Sequence, residues 1–190
     1  MYLKIKDMDY RVYFQGQINE DKIKLLYTPK EKFFTERAEN IIKERWAIRE
    51  KEGAYDGNLI ELIDCIEYDG YLKLCFDYTK YRFSLVARDV EYQKENCYLS
   101  NHIAIPTVIK TVDNKFMFIT SKQIRNGKYH WKFVGGYWEK EAPTICNNVL
   151  KEIEEEVGLS KFVNNLKIIG ISERDHSTCI STVIDCSLSS

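Results

Sequence analysis

Three glutamates on one short segment are the side chains best placed to do chemistry. Glu152, Glu155 and Glu156 stand at i, i+3 and i+4 in Lys151-Glu152-Ile153-Glu154-Glu155-Glu156-Val157-Gly158-Leu159. That spacing puts their carboxylates on one side of a helix. On a helical wheel Ile145, Val149, Leu150, Ile153 and Val157 form the apolar face. Glu156 falls at its margin, Glu152 just outside it and Glu155 further round, while Glu154 points away. Neighbouring carboxylates at a core edge repel one another and lose solvation. A divalent cation removes that cost, and hard oxygen ligands suit Mg²⁺, with Mn²⁺ as the alternative. The competing account is a solvated acidic helix face.

The helix must be opened, closed and held against something. Pro143 and Thr144 are helix-opening residues and Gly158 is a stop. Upstream, Tyr129–Val134 reads as a strand running into the turn Gly135-Gly136. The polar loop before it carries Lys122, Arg125 and Lys128, cations that could meet phosphate. Tyr137, Trp138 and Trp131 offer rings that could stack on a base or sugar; ordinary packing is the alternative.

The segment from Lys151 to Leu159 resembles the second half of the Nudix box, Arg-Glu-apolar-any-Glu-Glu-any-Gly-apolar, with Val134-Gly135-Gly136 as the preceding turn. The resemblance implies a Nudix fold and hydrolysis of a nucleoside diphosphate linked to another group. It implies Mg²⁺ held by Glu152, Glu155, Glu156 and the Gly136 carbonyl, with Lys151 where the family has an arginine that braces a glutamate. Lysine is a point charge and braces less rigidly. The accessory glutamate of the family falls in register on Ala142 or Pro143; Glu139 and Glu141 are near but out of register, so the loop is one residue longer than usual. The helix around Trp46 and Arg49, Gly57-Asn58-Leu59-Ile60, Asp77-Tyr78-Thr79-Lys80 and Ile105–Lys110 resemble the uridine diphosphate glucose pyrophosphatase-like branch. So do Ile171-Ser172-Glu173-Arg174 and the tail to Leu188. That implies a nucleotide-sugar substrate and, by the same analogy, a nucleotide contact from Arg174. A catalytically silent nucleotide- or protein-binding module is the other function this pattern supports.

The expected fold class is α+β or α/β, a Nudix-type α/β/α sandwich with a mixed sheet behind a β-rich N-terminal extension. We expect the extension over residues 1–95 and the Nudix core over 96–190. In the first part, Tyr2–Ile5, Tyr10–Phe14 and Ile23–Tyr27 read as strands, and a helix spans 30–52, opened by Pro29 and closed by Gly53. Leu59–Tyr68 and Tyr71–Phe76 flank the hairpin signal Asp69-Gly70, and a strand or mixed segment runs to Ala87. From Ile103 the order is three strands, the acidic helix and two strands. The family continues further after the last of these. The chain is therefore expected to be a fragment, or to cover its sheet with the extension or a homodimer partner.

Composition excludes several classes. The 190 residues carry a net charge of -1, with no basic excess for nucleic acid. No apolar run approaches the roughly 18 residues of a membrane span, and the N-terminus is not a signal peptide. The six cysteines form no Cys-x-x-Cys pair, which fits free thiols in a reducing cytoplasm. The histidines His102, His130 and His176 are far apart and read as structural or surface residues.

Overall fold

The computed structural model describes residues 2–5, 8–120 and 129–189. Its frame is one mixed sheet. In chain order the first strands are β1 (Tyr2–Ile5), β2 (Met8–Asn19), β3 (Ile23–Tyr27), β4 (Asn58–Tyr68) and β5 (Tyr71–Lys80). They are followed by β6 (His102–Ala104), β7 (Thr107–Thr111), β8 (Phe116–Met117), β11 (Val163–Arg174) and β12 (Ser177–Cys186), while β9 (Ile119–Thr120) and β10 (Trp131–Lys132) form a separate ribbon. The sheet order is β1-β2-β11-β12-β6-β4-β5-β3, with β7 on β12 and β8 on β7. Strand β12 runs antiparallel to β11 and parallel to β6 and β7. Strands from both sides of residue 95 share this sheet: β2 pairs with β11, and β4 with β6.

Among the described residues, four α-helices complete a mixed α+β fold: α1 (Glu36–Lys51), α2 (Tyr81–Val86), α3 (Val90–Gln93) and α4 (Ile145–Val157). Helix α4 covers one face of the sheet. Its Ile145, Val149 and Ile153 join Ile60, Leu62, Leu72, Ile103 and Ile180 in one buried cluster. Helices α1 to α3 build a second cluster from Ala38, Ile42, Val86 and Tyr92, with Phe34 and Phe83 against it. Glu61 sits between Ile60 and Leu62 in β4, so it faces away from α4. The Tyr98 ring packs on Phe34 and Phe83 and its hydroxyl donates to Glu61 at 2.7 Å. That bond ties the second cluster to the sheet face opposite α4.

Several boundaries differ from expectation. Helix α1 opens at Glu36, not Pro29, because the Thr35 hydroxyl accepts the Ala38 N–H and caps it there. Residues 29–34 instead lie outside any helix or strand, anchored where the Asp77 carboxylate accepts the Lys30 N–H and pairs with the Lys32 ammonium. The segment after Lys80 turns helical, since the Asp56 carboxylate accepts the Arg82 N–H in the first turn of α2. The Asp69-Gly70 hairpin holds; both residues have positive φ, 48° and 74°, as a type I′ turn requires. All six cysteines are free thiols. Among the described residues, no helix is long and apolar enough to cross a membrane.

Candidate functional site

The site is built around residues 134–139, which wedge between two strands. Thr107 N–H donates to the Val134 carbonyl at 2.8 Å, Ile105 N–H to Gly136 at 2.9 Å and Trp138 N–H to Ile103 at 2.8 Å. On the other side, Ile60 N–H donates to the Trp138 carbonyl at 2.8 Å. This ladder explains the two glycines. Gly135 has φ +139°, and a Cβ there would lie 2.1 Å from the Ile105 carbonyl oxygen. At Gly136 a Cβ would lie 2.3 Å from a Glu152 carboxylate oxygen. The diglycine is therefore the place where the α4 side chains reach the turn.

Helix α4 delivers them in register. The Thr144 hydroxyl caps its start by accepting the Asn147 N–H at 3.1 Å. Gly158, at φ 70°, ends it and donates to the Ile153 carbonyl at 3.0 Å. With Ile153 fully buried, Glu152 and Glu156 are turned to the diglycine. Glu156 accepts the Gly135 N–H at 3.0 Å and pairs with the Lys132 ammonium at 2.6 Å. Lys151 pairs with the Glu139 carboxylate and lies 3.8 Å from Glu155. The Asn148 side chain, buried under the loop, accepts the Glu139 N–H at 3.1 Å and fixes that partner. The glutamate that Lys151 braces is thus Glu139, which sequence register had passed over. Only the loop's path along Leu59 and Asn58 reveals it.

The electrostatics are uneven. Burial, then the charges of Glu156 and Glu155, push the Glu152 carboxyl up to about 7. The bond to Glu139 raises Lys151. Glu155 has a side chain 58 % exposed. Among the described residues, no three His, Cys, Asp or Glu side chains are gathered closely enough to hold a metal ion. The three glutamates assigned that task are spread instead: Glu156 is drawn to Lys132, Glu155 toward Lys151 and solvent, and Glu152 lies against Gly136. The Gly136 carbonyl, also assigned to metal, already accepts the Ile105 N–H and has one lone pair left.

A cleft of about 460 Å³ opens beside the turn, lined by Ala104, Pro106, Lys132, Phe133, Tyr137 and Cys179 among others. Tyr137 contributes a ring to the lining of this cleft. Its plane is edge-on to His102, with centroids 4.7 Å apart. His102 is buried, contacts the Ser177 hydroxyl at 3.2 Å, and is held down to about 4 by burial and then by Arg88. It is a neutral ring packed against Tyr137. Trp138 is a core side chain, 1 % exposed, whose indole donates to the Ala142 carbonyl at 2.9 Å; its burial removes it from ligand contact. Arg174 donates to the Tyr10 hydroxyl at 3.2 Å and pairs with Asp175 at 3.2 Å. Lys122, Arg125 and Lys128 lie outside the described residues.

No family model and no curated protein matches this chain.

The raised Glu152 carboxyl gives a measurable pH dependence. Its ordinary value is 4.5 and its folded value about 7, so the fold binds a proton more tightly than the unfolded chain does. The associated stability is complete below about pH 4.5 and is lost as pH rises through about 7, on the order of 2 kcal/mol with partial solvent screening. Urea unfolding of metal-free protein between about pH 5 and pH 8 should show this fall. Glu152→Gln should flatten it. An unchanged slope in that variant would show the carboxyl to be well solvated.

Proposed function

We propose that this chain is a Mg²⁺-dependent hydrolase of the Nudix type that splits a nucleoside diphosphate linked to another moiety, with a nucleotide sugar such as UDP-glucose as the substrate class. One observation carries the reading. Glu152 is pressed against the diglycine turn with its proton affinity raised by burial and by Glu156 and Glu155. That surplus of carboxylate charge is what a hard cation relieves. The helices on both sides of the sheet support the sandwich layering of that family.

The residues divide the work. Glu152, Glu155 and Glu156 are the oxygen donors that would have to converge, with Glu156 leaving Lys132, to hold Mg²⁺, or Mn²⁺ in its place, with the Gly136 carbonyl adjacent. Bound there, the cation would neutralise pyrophosphate charge and acidify water. Lys151 clamps the loop to the helix through Glu139 and so holds Glu155 and Glu152 in register. Lys132, which lines the same cleft, is a cation that an incoming phosphate would meet. Tyr137 and Phe133 offer ring faces to a base or sugar. Glu152 has the proton affinity of a group that can accept a proton near neutral pH.

A second reading has its own observation. Both Glu156 oxygens are already engaged, by Lys132 and by the Gly135 N–H, which favours a nucleotide- or protein-binding module with no turnover. Two measurements separate them. The hydrolase should convert UDP-glucose and water to UMP and glucose 1-phosphate when Mg²⁺ is supplied. A Mg²⁺ titration should also raise its melting temperature, because a cation that binds only the folded state stabilises it. Silence over a broad panel of nucleoside diphosphate derivatives, together with an unmoved melting temperature, would leave the binding module.

A further inference from the structure

At the far end of the sheet from β1, strand β3 pairs with β5 alone among the described strands, so one side of its backbone carries unpaired donors and acceptors. Its side chains are unusually open for their type: Leu25 is 40 %, Leu26 44 % and Tyr27 53 % exposed. The register places Lys24 beside Lys73, Lys73 beside Ile66, and Tyr71 beside Tyr68. These residues share one face and line a hollow of about 500 Å³. The ammonium groups of Lys22 and Lys24 stand 4.6 and 4.5 Å from the centre of the Tyr71 ring. Among the described residues, no carboxylate pairs with Lys22, Lys24 or Lys73.

We propose that this edge accepts an extended peptide as an additional strand, and that the peptide alternates acidic and apolar residues. The edge supplies main-chain bonds and the flanking rows supply selectivity. On one face the added strand meets Lys24, Leu26 and the lysine–tyrosine hollow, where carboxylates answer ammonium groups that have no acidic partner among the described residues. On the other it meets Ile23, Leu25 and Tyr27, where apolar side chains bury exposed surface. A second copy of the chain is the poorer occupant. Antiparallel self-pairing about Leu25 would bring Lys22, Lys24 and Lys73 of both copies into one ribbon with no carboxylates between them. This hollow shares no lining residue with the cleft beside the diglycine turn, and the proposal does not depend on the proposed hydrolysis.

The test is fluorescence anisotropy of the full chain with a labelled peptide of about nine residues that alternates Val and Glu. Saturable binding is expected, weakened about tenfold by Lys24→Glu with Lys73→Glu. Both lysines are exposed, so the double substitution spares the core, and a melting curve checks that. A Val–Lys peptide should show the opposite preference, favouring the doubly substituted chain. On the unaltered protein, added salt should weaken the Val–Glu complex, a readout that needs no substitution. Absence of saturable binding, or equal binding by both forms, would overturn the proposal. So would a dimer, seen by sedimentation, that Leu26→Asp breaks, since that assigns the edge to a second copy.

Discussion

Glu156→Gln is expected to lower Mg²⁺-dependent cleavage of UDP-glucose by about two to four orders of magnitude. Glu155→Gln should fall in the same range, by a different route. At Glu156 the amide oxygen of Gln can still accept the Gly135 N–H at the position now occupied at 3.0 Å, so the turn keeps its anchor. What disappears is the negative charge that pairs with Lys132 and would hold the cation. Glu155 has no such anchoring duty; its side chain is 58 % exposed and its nearest cation, Lys151, is 3.8 Å away. Its substitution removes charge without touching the fold. Steady-state kinetics with each variant, alongside an unchanged circular dichroism spectrum, make the comparison. Full activity in Glu156→Gln would remove this helix from the chemistry altogether.

Gly135→Ala should destabilise the protein by about 3 kcal/mol or more, a fall of about 6–12 °C in melting temperature for a chain of this size. Two causes add. The backbone at φ +139° is one that side-chain-bearing residues avoid, and the new methyl would lie 2.1 Å from the Ile105 carbonyl oxygen. That oxygen lies in the short link between β6 and β7, and it cannot retreat without disturbing the bonds that Ile105 and Thr107 donate to Gly136 and Val134. Gly136→Ala makes the informative contrast. Its methyl meets the tip of Glu152 at 2.3 Å, and a carboxylate can swing aside. The second variant should stay folded and lose function. Thermal melts of both, with equal losses, would contradict this account of the turn.

Local signals in the chain were strong where the structure obeys them locally. Helix α4 was legible in full because its caps, apolar stripe and stop are all contiguous in Thr144 to Gly158. The hairpin of β4 and β5 was legible from Asp69-Gly70. The pairing of β2 with β11 was not, because Phe14 and Ile171 meet across more than a hundred and fifty residues and no periodicity encodes that. Helix α2 was missed because its first turn is satisfied by Asp56, far upstream. Spacing put Glu152, Glu155 and Glu156 on one side of α4, and the family resemblance singled them out; Glu152 and Glu156 reach the turn, while Glu155 stays largely exposed. Glu139 was passed over because the loop is longer than the family pattern, and the partner of Lys151 is set by the loop's route rather than its length. Trp138 looked like a ring for a ligand because aromatic residues near a glycine turn suit both roles; its indole bond to Ala142 decides for the core. His102 gave no signal, since an isolated histidine in an apolar strand reads as structure.

The three tryptophans sit in unlike surroundings: Trp138 is 1 % exposed, Trp131 75 %, and Trp46 lies half-buried on α1. Acrylamide will therefore quench Trp131 long before it reaches Trp138, whose emission should be blue-shifted. Because Trp138 is bonded into the loop between the diglycine and α4, its emission becomes an unlabelled optical gauge of that loop. A titration of cation or nucleotide can be followed by light from the molecule itself.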